Sequence, residues 1–118
     1  MTTADPTCLF CRIAAGEIPS DRVYEDDLLI AFRDITPVAP THLLLIPRRH
    51  IGSAVELTEA DGPLLGRLFA VAADLARSEG IADPGYRLVS NVGPDGGQSV
   101  GHLHVHLLGG RAFSWPPG

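Results

Sequence analysis

Residues 96–110 read Gly-Gly-Gln-Ser-Val-Gly-His-Leu-His-Val-His-Leu-Leu-Gly-Gly. Alternate side chains of a β-strand project to opposite faces of the sheet. This spacing predicts a strand with His102, His104 and His106 on one face and the intervening Leu and Val side chains on the other. One face of the strand is therefore suited to chemistry and the other to a core.

A glycine-rich loop precedes this strand. Its glycines alternate with polar residues, and the loop contains Gly93, Asp95, Gly96, Gly97, Gln98, Ser99 and Gly101. Glycine allows backbone N–H groups to approach an anion closely. A phosphate cradle that runs into a row of imidazoles indicates phosphoryl chemistry, whereas the alternative interpretation is a plain turn with an Asp-Gly signal.

Length and charge limit the possible functions. A chain of 118 residues is the size of one domain with one modest core. The 14 acidic and 9 basic residues give a formal net charge of −5, which argues against binding a nucleic acid polymer. No apolar stretch approaches the roughly 20 residues of a membrane span, and no leader pattern opens the chain. We therefore expect a soluble, cytoplasmic protein that does not bind membranes.

The remaining segments predict a single α+β domain. Residues 1–7 are expected to form a flexible tail and residues 9–15 a short helix that Gly16 ends. Apolar residues at helical spacing predict one long helix over 64–76, and Thr58 with Asp61 resembles a capping box ahead of it. Strands are expected at 23–24, 28–33, 43–46 and 86–92, in addition to the histidine strand. The prediction is a five-stranded antiparallel sheet with the long helix on one face.

Histidine is the residue type that decides the chemistry. The chain has five of them, namely His42, His50, His102, His104 and His106. A single histidine is usually a polar surface or core residue, but packing gives no reason to repeat a titratable ring on one strand face. A neutral imidazole, with an unperturbed pKa of about 6.5, can attack phosphorus at pH 7 without a metal.

The run His102-Leu103-His104-Val105-His106-Leu107-Leu108 resembles the signature of the histidine triad (HIT) family of nucleotide hydrolases and transferases. The resemblance covers nearly the whole chain, with a HIT domain over residues 8–118. It is closest to the Hint branch, because residues 95–99 and the ending Trp115-Pro116-Pro117-Gly118 are similar to that branch. Residues 112–118 would form its C-terminal tail.

The resemblance implies roles for individual residues. The second histidine of the motif, His104, would be the nucleophile, while His106 and His42 would bond phosphate oxygens or hold charge in the transition state. Ser99 would bond the phosphate or help to protonate the leaving atom, beside the N–H groups of Gly97 and Gln98. The remaining nucleotide contacts implied are Asn91, Asp34 to the ribose hydroxyls, and Ile18, Phe32 and Ile35 around the base.

Cys8 and Cys11 form a second candidate site with His50 and His102. Two thiolates at C-x-x-C spacing and two imidazoles satisfy a closed, tetrahedral structural zinc site. Several HIT proteins bind zinc in this way, although members of the Hint branch often lack the cysteines. The alternatives are a buried thiol pair without metal and, less consistent with the absence of a βαβ pattern, a redox pair.

The implied activity is hydrolysis of purine nucleoside 5′-phosphoramidates to the nucleoside monophosphate through a nucleotidyl-histidine intermediate, without an organic cofactor. Two alternatives are cleavage of dinucleoside polyphosphates and a mainly non-catalytic role in nucleotide binding or protein interaction. A third makes the three triad histidines ligands of a catalytic zinc. The resemblance also implies a homodimer whose sheets join across a two-fold interface.

Overall fold

The computed structural model describes residues 5–118. Its elements, in chain order, are α1 (Leu9–Ala14), β1 (Arg22–Glu25), β2 (Leu29–Arg33), β3 (Thr41–Pro47), α2 (Gly62–Ser78), β4 (Tyr86–Val89) and β5 (Val105–Gly109). The five strands form one sheet in the order β1-β2-β3-β5-β4, and every neighbouring pair is antiparallel. This confirms the predicted α+β domain with one long and one short helix.

The long helix covers one face of the sheet. Side chains of β2, β3 and β5 pack against its apolar stripe in a core made of Leu29, Ala31, Leu43, Leu45, Leu68, Val71, Ala72, Leu75, Ala76, Ile81, Val105 and Leu107. The predicted capping box is present, but it caps the N-terminus of a short 3-10 turn at Glu59–Asp61 and not the long helix. The helix α2 begins at Gly62 and carries Pro63 in its first turn, where a missing N–H costs no helical hydrogen bond.

The opposite face of the sheet is covered by α1. A smaller core there comprises Cys8, Phe10, Cys11, Ile13, Ala14, Ile30, Phe32, Leu44 and Ile46. The six residues of α1 are far fewer than the 17 of α2, so part of this face stays uncovered. His104 and His106 line a cavity that α1 leaves on this face.

Two element boundaries differ from the sequence prediction by three residues, whereas the others differ by one or two. β4 ends at Val89 rather than at residue 92, and β5 begins only at Val105, so that His102 and His104 precede the strand. The reason is that this segment bonds to groups outside the ladder. Leu103 donates its N–H to the Ile51 carbonyl (2.6 Å), and the Ser90 hydroxyl donates to the His104 carbonyl (2.9 Å).

The expected flexible tail lies mostly outside the described residues, which begin at Asp5. Residues 5–7 form a turn, in which the Asp5 carboxylate accepts the Thr7 N–H and hydroxyl and the Asp5 carbonyl accepts the Cys8 N–H. Across residues 5–118, none of the helices combines the length and the hydropathy that crossing a bilayer requires.

Candidate active site

The predicted alternation of the triad survives although the strand is shorter. Leu103 packs with Ile51 and Leu64, and the next two apolar residues enter the core beneath α2. The histidine rings lie on the α1 side. The edge of Phe10 meets the His104 ring at 5.1 Å and the His102 ring at 6.0 Å between centroids, and the rings of His104 and His106 are 5.1 Å apart.

The tautomer of His104 is set by the backbone carbonyl of His102. Its Nδ1 lies 2.7 Å from the carbonyl oxygen of His102, so the ring proton sits on Nδ1 and donates there. A neutral ring then carries its lone pair on Nε2. The side chain is only 3% exposed, and the neighbouring Phe10 ring holds its orientation.

His104 lines an apolar cavity of about 300 Å³ between α1 and the sheet. Seven of the predicted site residues share this wall: Ile18, Phe32, Asp34, Ile35, Ser99, His104 and His106. Four do not reach it, namely His42, Asn91, Gly97 and Gln98. The cavity wall also includes Ser20, whose enclosed hydroxyl has no hydrogen-bond partner in the described structure.

His42 lies behind His106 rather than on the cavity wall. Its Nδ1 accepts the N–H of Val38 (3.1 Å), so the proton of the neutral ring is on Nε2. That atom faces Nδ1 of His106 at 2.9 Å and an Asp34 carboxylate oxygen at 3.3 Å. His106 therefore accepts at Nδ1 and keeps its own proton on Nε2. The His42 ring therefore contacts His106, and it does not line the cavity itself.

Burial keeps these two rings uncharged. It lowers the pKa of His42, against the opposing effect of Asp34. Burial also lowers the pKa of His106 to about 4, with His104 and His42 acting in the same direction. Both rings are neutral at pH 7, so His106 presents an N–H donor on the cavity wall rather than a full charge.

The glycine loop differs from the predicted cradle. The N–H groups of Gly97 and Gln98 donate within the loop, to the Pro94 and Gly93 carbonyls. The Gln98 side chain is also occupied, since its oxygen accepts the Gly93 N–H (2.9 Å) and its nitrogen donates to Gly52 and Val100 carbonyls. These groups shape the loop, and the loop residues that line the cavity are Ser99 and Val100.

The four predicted metal ligands come together. The donor atoms of Cys8, Cys11, His50 and His102 all lie within 4.8 Å of one another. Nδ1 of His50 is 3.2 Å from Cys11 Sγ, and Nδ1 of His102 is 3.3 Å from Cys8 Sγ. A tetrahedral zinc with these ligands needs donor separations of about 3.6 Å, so the cluster is close to the required size.

The surroundings of the cluster also suit a cation. Nε2 of His102 lies 2.8 Å from the Pro47 carbonyl, which holds the ring proton and turns the Nδ1 lone pair toward the thiols. Burial raises the pKa of the Cys11 thiol, and a bound cation would offset this by stabilising the thiolate. The four donors, together with the Pro47 carbonyl that orients His102, therefore fit zinc.

A second group, Asp34, His42 and His106, also offers three donors within 4.8 Å. It does not suit a metal, because the Val38 N–H occupies Nδ1 of His42 and leaves the proton on the nitrogen that a metal would need. The hypothesis of one zinc shared by the three triad histidines is also wrong, because the structure divides these histidines between two groups. In the described residues, His102 joins the cysteines while His106 joins His42.

Sequence reasoning missed the supporting contacts of the triad. The Val38 N–H that orients His42 and the Phe10 ring beside His104 are distant from the motif along the chain. No pattern in the sequence marks either residue, since Val38 lies in an irregular connection and Phe10 is one apolar residue of a short helix.

Comparison with known proteins agrees with this geometry. The HIT domain profile matches residues 15–113. Among curated relatives, the purine nucleoside phosphoramidase of Escherichia coli K12 is 52% identical over 103 residues, which cover 87% of each chain. The adenylylsulfatase HINT1 of Arabidopsis thaliana is 50% identical over 121 residues, covering 99% of this chain and 80% of the plant protein.

A solved structure shows the same likeness in three dimensions. The HIT family hydrolase from Legionella pneumophila Philadelphia 1 superposes with a TM-score of 0.93 and is 54% identical, covering 95% of this chain and 100% of that one. A matching family profile, relatives at half identity over most of their length and a shared fold all agree. The chain belongs to the histidine triad (HIT) family.

Proposed function

We propose that this protein hydrolyses purine nucleoside 5′-phosphoramidates to the nucleoside monophosphate. The observation that carries the proposal is the hydrogen bond from Nδ1 of His104 to the His102 carbonyl. It leaves the other ring nitrogen unprotonated on the wall of a cavity of nucleotide size. The name of the E. coli relative, a purine nucleoside phosphoramidase, supports this substrate class.

The reaction proceeds in two displacements at phosphorus. Nε2 of His104 attacks the α-phosphorus, the P–N bond breaks, and the leaving nitrogen takes a proton as it departs. Water then attacks the phosphorus of the nucleotidyl-histidine, which releases the monophosphate and regenerates the neutral ring. The imidazolium character that develops in the first step is stabilised by the short bond to the His102 carbonyl.

The other cavity residues would hold the substrate. Nε2–H of His106 donates to a phosphate oxygen, where negative charge develops in the transition state. The Ser99 hydroxyl lies at the junction of the cavity and the glycine loop, where it can supply the proton of the leaving atom. The Asp34 carboxylate would accept both ribose hydroxyls, with Ile18, Phe32 and Ile35 around a base that they select poorly.

We also propose that zinc binds Cys8, Cys11, His50 and His102 and acts structurally. Four protein ligands close the coordination sphere, so the ion would stabilise the packing of α1 on the sheet without entering the reaction.

A homodimer completes the proposal. β4 is an edge strand of the sheet, and large apolar side chains are exposed elsewhere on the chain, with Trp115 at 83%. Pairing two copies would cover an edge and apolar surface that a single chain leaves open to water.

Replacement of the nucleophile tests the activity. We expect His104→Ala to lower kcat for adenosine 5′-phosphoramidate at least about a thousandfold, because no other unprotonated nitrogen lies at that position. Affinity for adenosine monophosphate should change much less, since the cavity is otherwise intact. Rapid quenching of the unmodified protein should trap a nucleotidyl adduct on His104, and an adduct on any other residue would contradict the assignment.

Substrate comparison separates the proposed activity from its alternatives. kcat/KM for adenosine phosphoramidate should exceed that for a diadenosine polyphosphate. The reverse order would favour the polyphosphate hydrolase, and binding of adenosine monophosphate without turnover of either compound would favour a nucleotide-binding module.

A further inference from the structure

A series of hydrogen bonds leads from Arg111, the residue before the C-terminal tail, to His106 on the cavity wall. Nε of Arg111 donates to the Val38 carbonyl at 3.1 Å, and the Val38 N–H donates to Nδ1 of His42 at 3.1 Å. Nε2 of His42 in turn faces Nδ1 of His106 at 2.9 Å. Arg111 thus bonds the same residue whose amide sets the tautomer of His42.

The segment that carries Val38 is anchored at its start, where the Asp34 N–H donates to the His42 carbonyl and the Thr36 N–H donates to the Asp34 carboxylate. Residues 34–40 contain no helix or strand, and the Val38 side chain is 57% exposed. Pro37 and Pro40 cannot donate a backbone hydrogen bond. A second contact comes from the residue before Arg111, because Gly110, at φ +91°, packs so closely that a Cβ there would lie 2.8 Å from Cβ of Pro40.

Arg111 itself is fixed by the tail. Its guanidinium carbon lies 4.2 Å from the Phe113 ring centroid, and that of Arg87 lies 5.1 Å from the same centroid. Arg111 also donates to the Ala112 carbonyl, and Arg87 donates to the Ser114 carbonyl. Neither arginine has a carboxylate within 4.0 Å in the described part of the chain, so their contacts are with the tail and with Val38.

We infer that Arg111 is a positioning residue that fixes the ring protons of His42 and His106 by holding Val38 in place. The ring protons of the hydrogen-bonded His42 and His106 have only one alternative arrangement. If the Val38 N–H withdrew, the Asp34 carboxylate at 3.3 Å would be the remaining contact that favours a proton on Nε2 of His42, and part of the population would carry the proton on Nδ1 and accept at Nε2. His106 would then donate from Nδ1 and turn a lone pair, instead of an N–H, toward the cavity. A lone pair there repels a phosphate oxygen that the N–H would bind.

The test compares Arg111→Met with the unmodified full-length protein. Methionine keeps an apolar stem against Phe113 and removes the donors together with the charge over the ring. Two-bond ¹H–¹⁵N spectra report which nitrogen of each histidine carries the proton. We expect the unmodified protein to show Nε2–H on both His42 and His106, and Arg111→Met to show a mixture that includes Nδ1–H on both rings.

Two further variants make the comparison specific. Arg87→Met removes the other guanidinium from Phe113 but leaves the bond to Val38, so its ring spectra should match those of the unmodified protein. Arg111→Lys retains one donor that can reach the Val38 carbonyl and should restore most of the original spectrum. Unchanged spectra in Arg111→Met, or equal changes in Arg87→Met, would overturn the inference, as would a failure of lysine to restore the signal.

The kinetic consequence rests on the proposed function. With adenosine phosphoramidate, kcat of Arg111→Met should fall about tenfold with little change in KM, since part of the population carries the wrong donor on His106. An altered spectrum with unaltered kcat would overturn the link to catalysis. If the unmodified protein does not turn over the substrate at all, the proposed function fails, and the spectra still decide the role of Arg111.

Discussion

At His106, burial and two neighbouring imidazoles act in the same direction, and the pKa of the ring falls to about 4. An unfolded histidine has a pKa of about 6.5. Above pH 6.5 the His106 ring is neutral in both the folded and the unfolded chain, and its contribution to the free energy of unfolding is fully present. As the pH falls from 6.5 towards 4, the unfolded chain binds a proton that the folded ring does not, so the free energy of unfolding decreases.

Urea unfolding between pH 4 and pH 7.5 measures this effect. The loss attributable to His106 should be about 1–3 kcal/mol, reduced by solvent screening because the ring is only partly buried. His106→Asn should flatten the pH dependence over this window.

Asp26→Asn is the matched control. Against the effect of burial, hydrogen bonds from Tyr24 and neighbouring amides lower the pKa of Asp26, so its contribution is lost only below about pH 3.9. An equally steep slope in His106→Asn would contradict the assignment.

At the scale of elements, the triad strand shows which structural features the local sequence pattern can predict. Alternation placed His102, His104 and His106 on one face, because side-chain direction in extended chain depends only on sequence neighbours. The start of β5 at Val105 was not predictable, since it depends on the bond between Leu103 and Ile51. Residues brought together by topology were likewise hidden, as with the His42 ring that meets His106 across 64 residues of chain.

The short helix α1 needs support from outside itself, because six residues do not form a stable helix alone. Its N-cap is Cys8, whose sulfur accepts the Cys11 N–H at 3.4 Å, so both thiols lie in one turn. We expect the purified protein to contain one zinc per chain by elemental analysis. Chelation should lower the free energy of unfolding by at least about 2 kcal/mol while changing kcat less than about tenfold.

Cys11→Ala serves as the control for chelation. It should bind no zinc and should unfold at the same denaturant concentration with or without chelator. A protein purified without zinc, or chelation that abolishes turnover as completely as His104→Ala, would contradict a structural role for the metal.

For the whole molecule, the open question at the surface is what Trp115 contacts. A large aromatic side chain that is 83% exposed normally packs against something. The tail around it is itself held in place through Phe113. A dimer in which Trp115 reaches the partner's cavity satisfies both observations. Light scattering should then give twice the mass of one chain, and Trp115→Ala should change the preference among phosphoramidates with different leaving amines by up to about tenfold.

Mixing two inactive or altered chains tests whether Trp115 acts across the interface. In a mixture of His104→Ala and Trp115→Ala chains, each mixed dimer has one competent His104, on the chain that lacks Trp115. If the tryptophan serves the partner's cavity, that competent site receives Trp115 from the His104→Ala chain, and the original substrate preference returns once His104→Ala chains are in large excess and few Trp115→Ala dimers remain. If it serves its own chain, the mixture keeps the preference of Trp115→Ala, because the only working cavities then lack the ring.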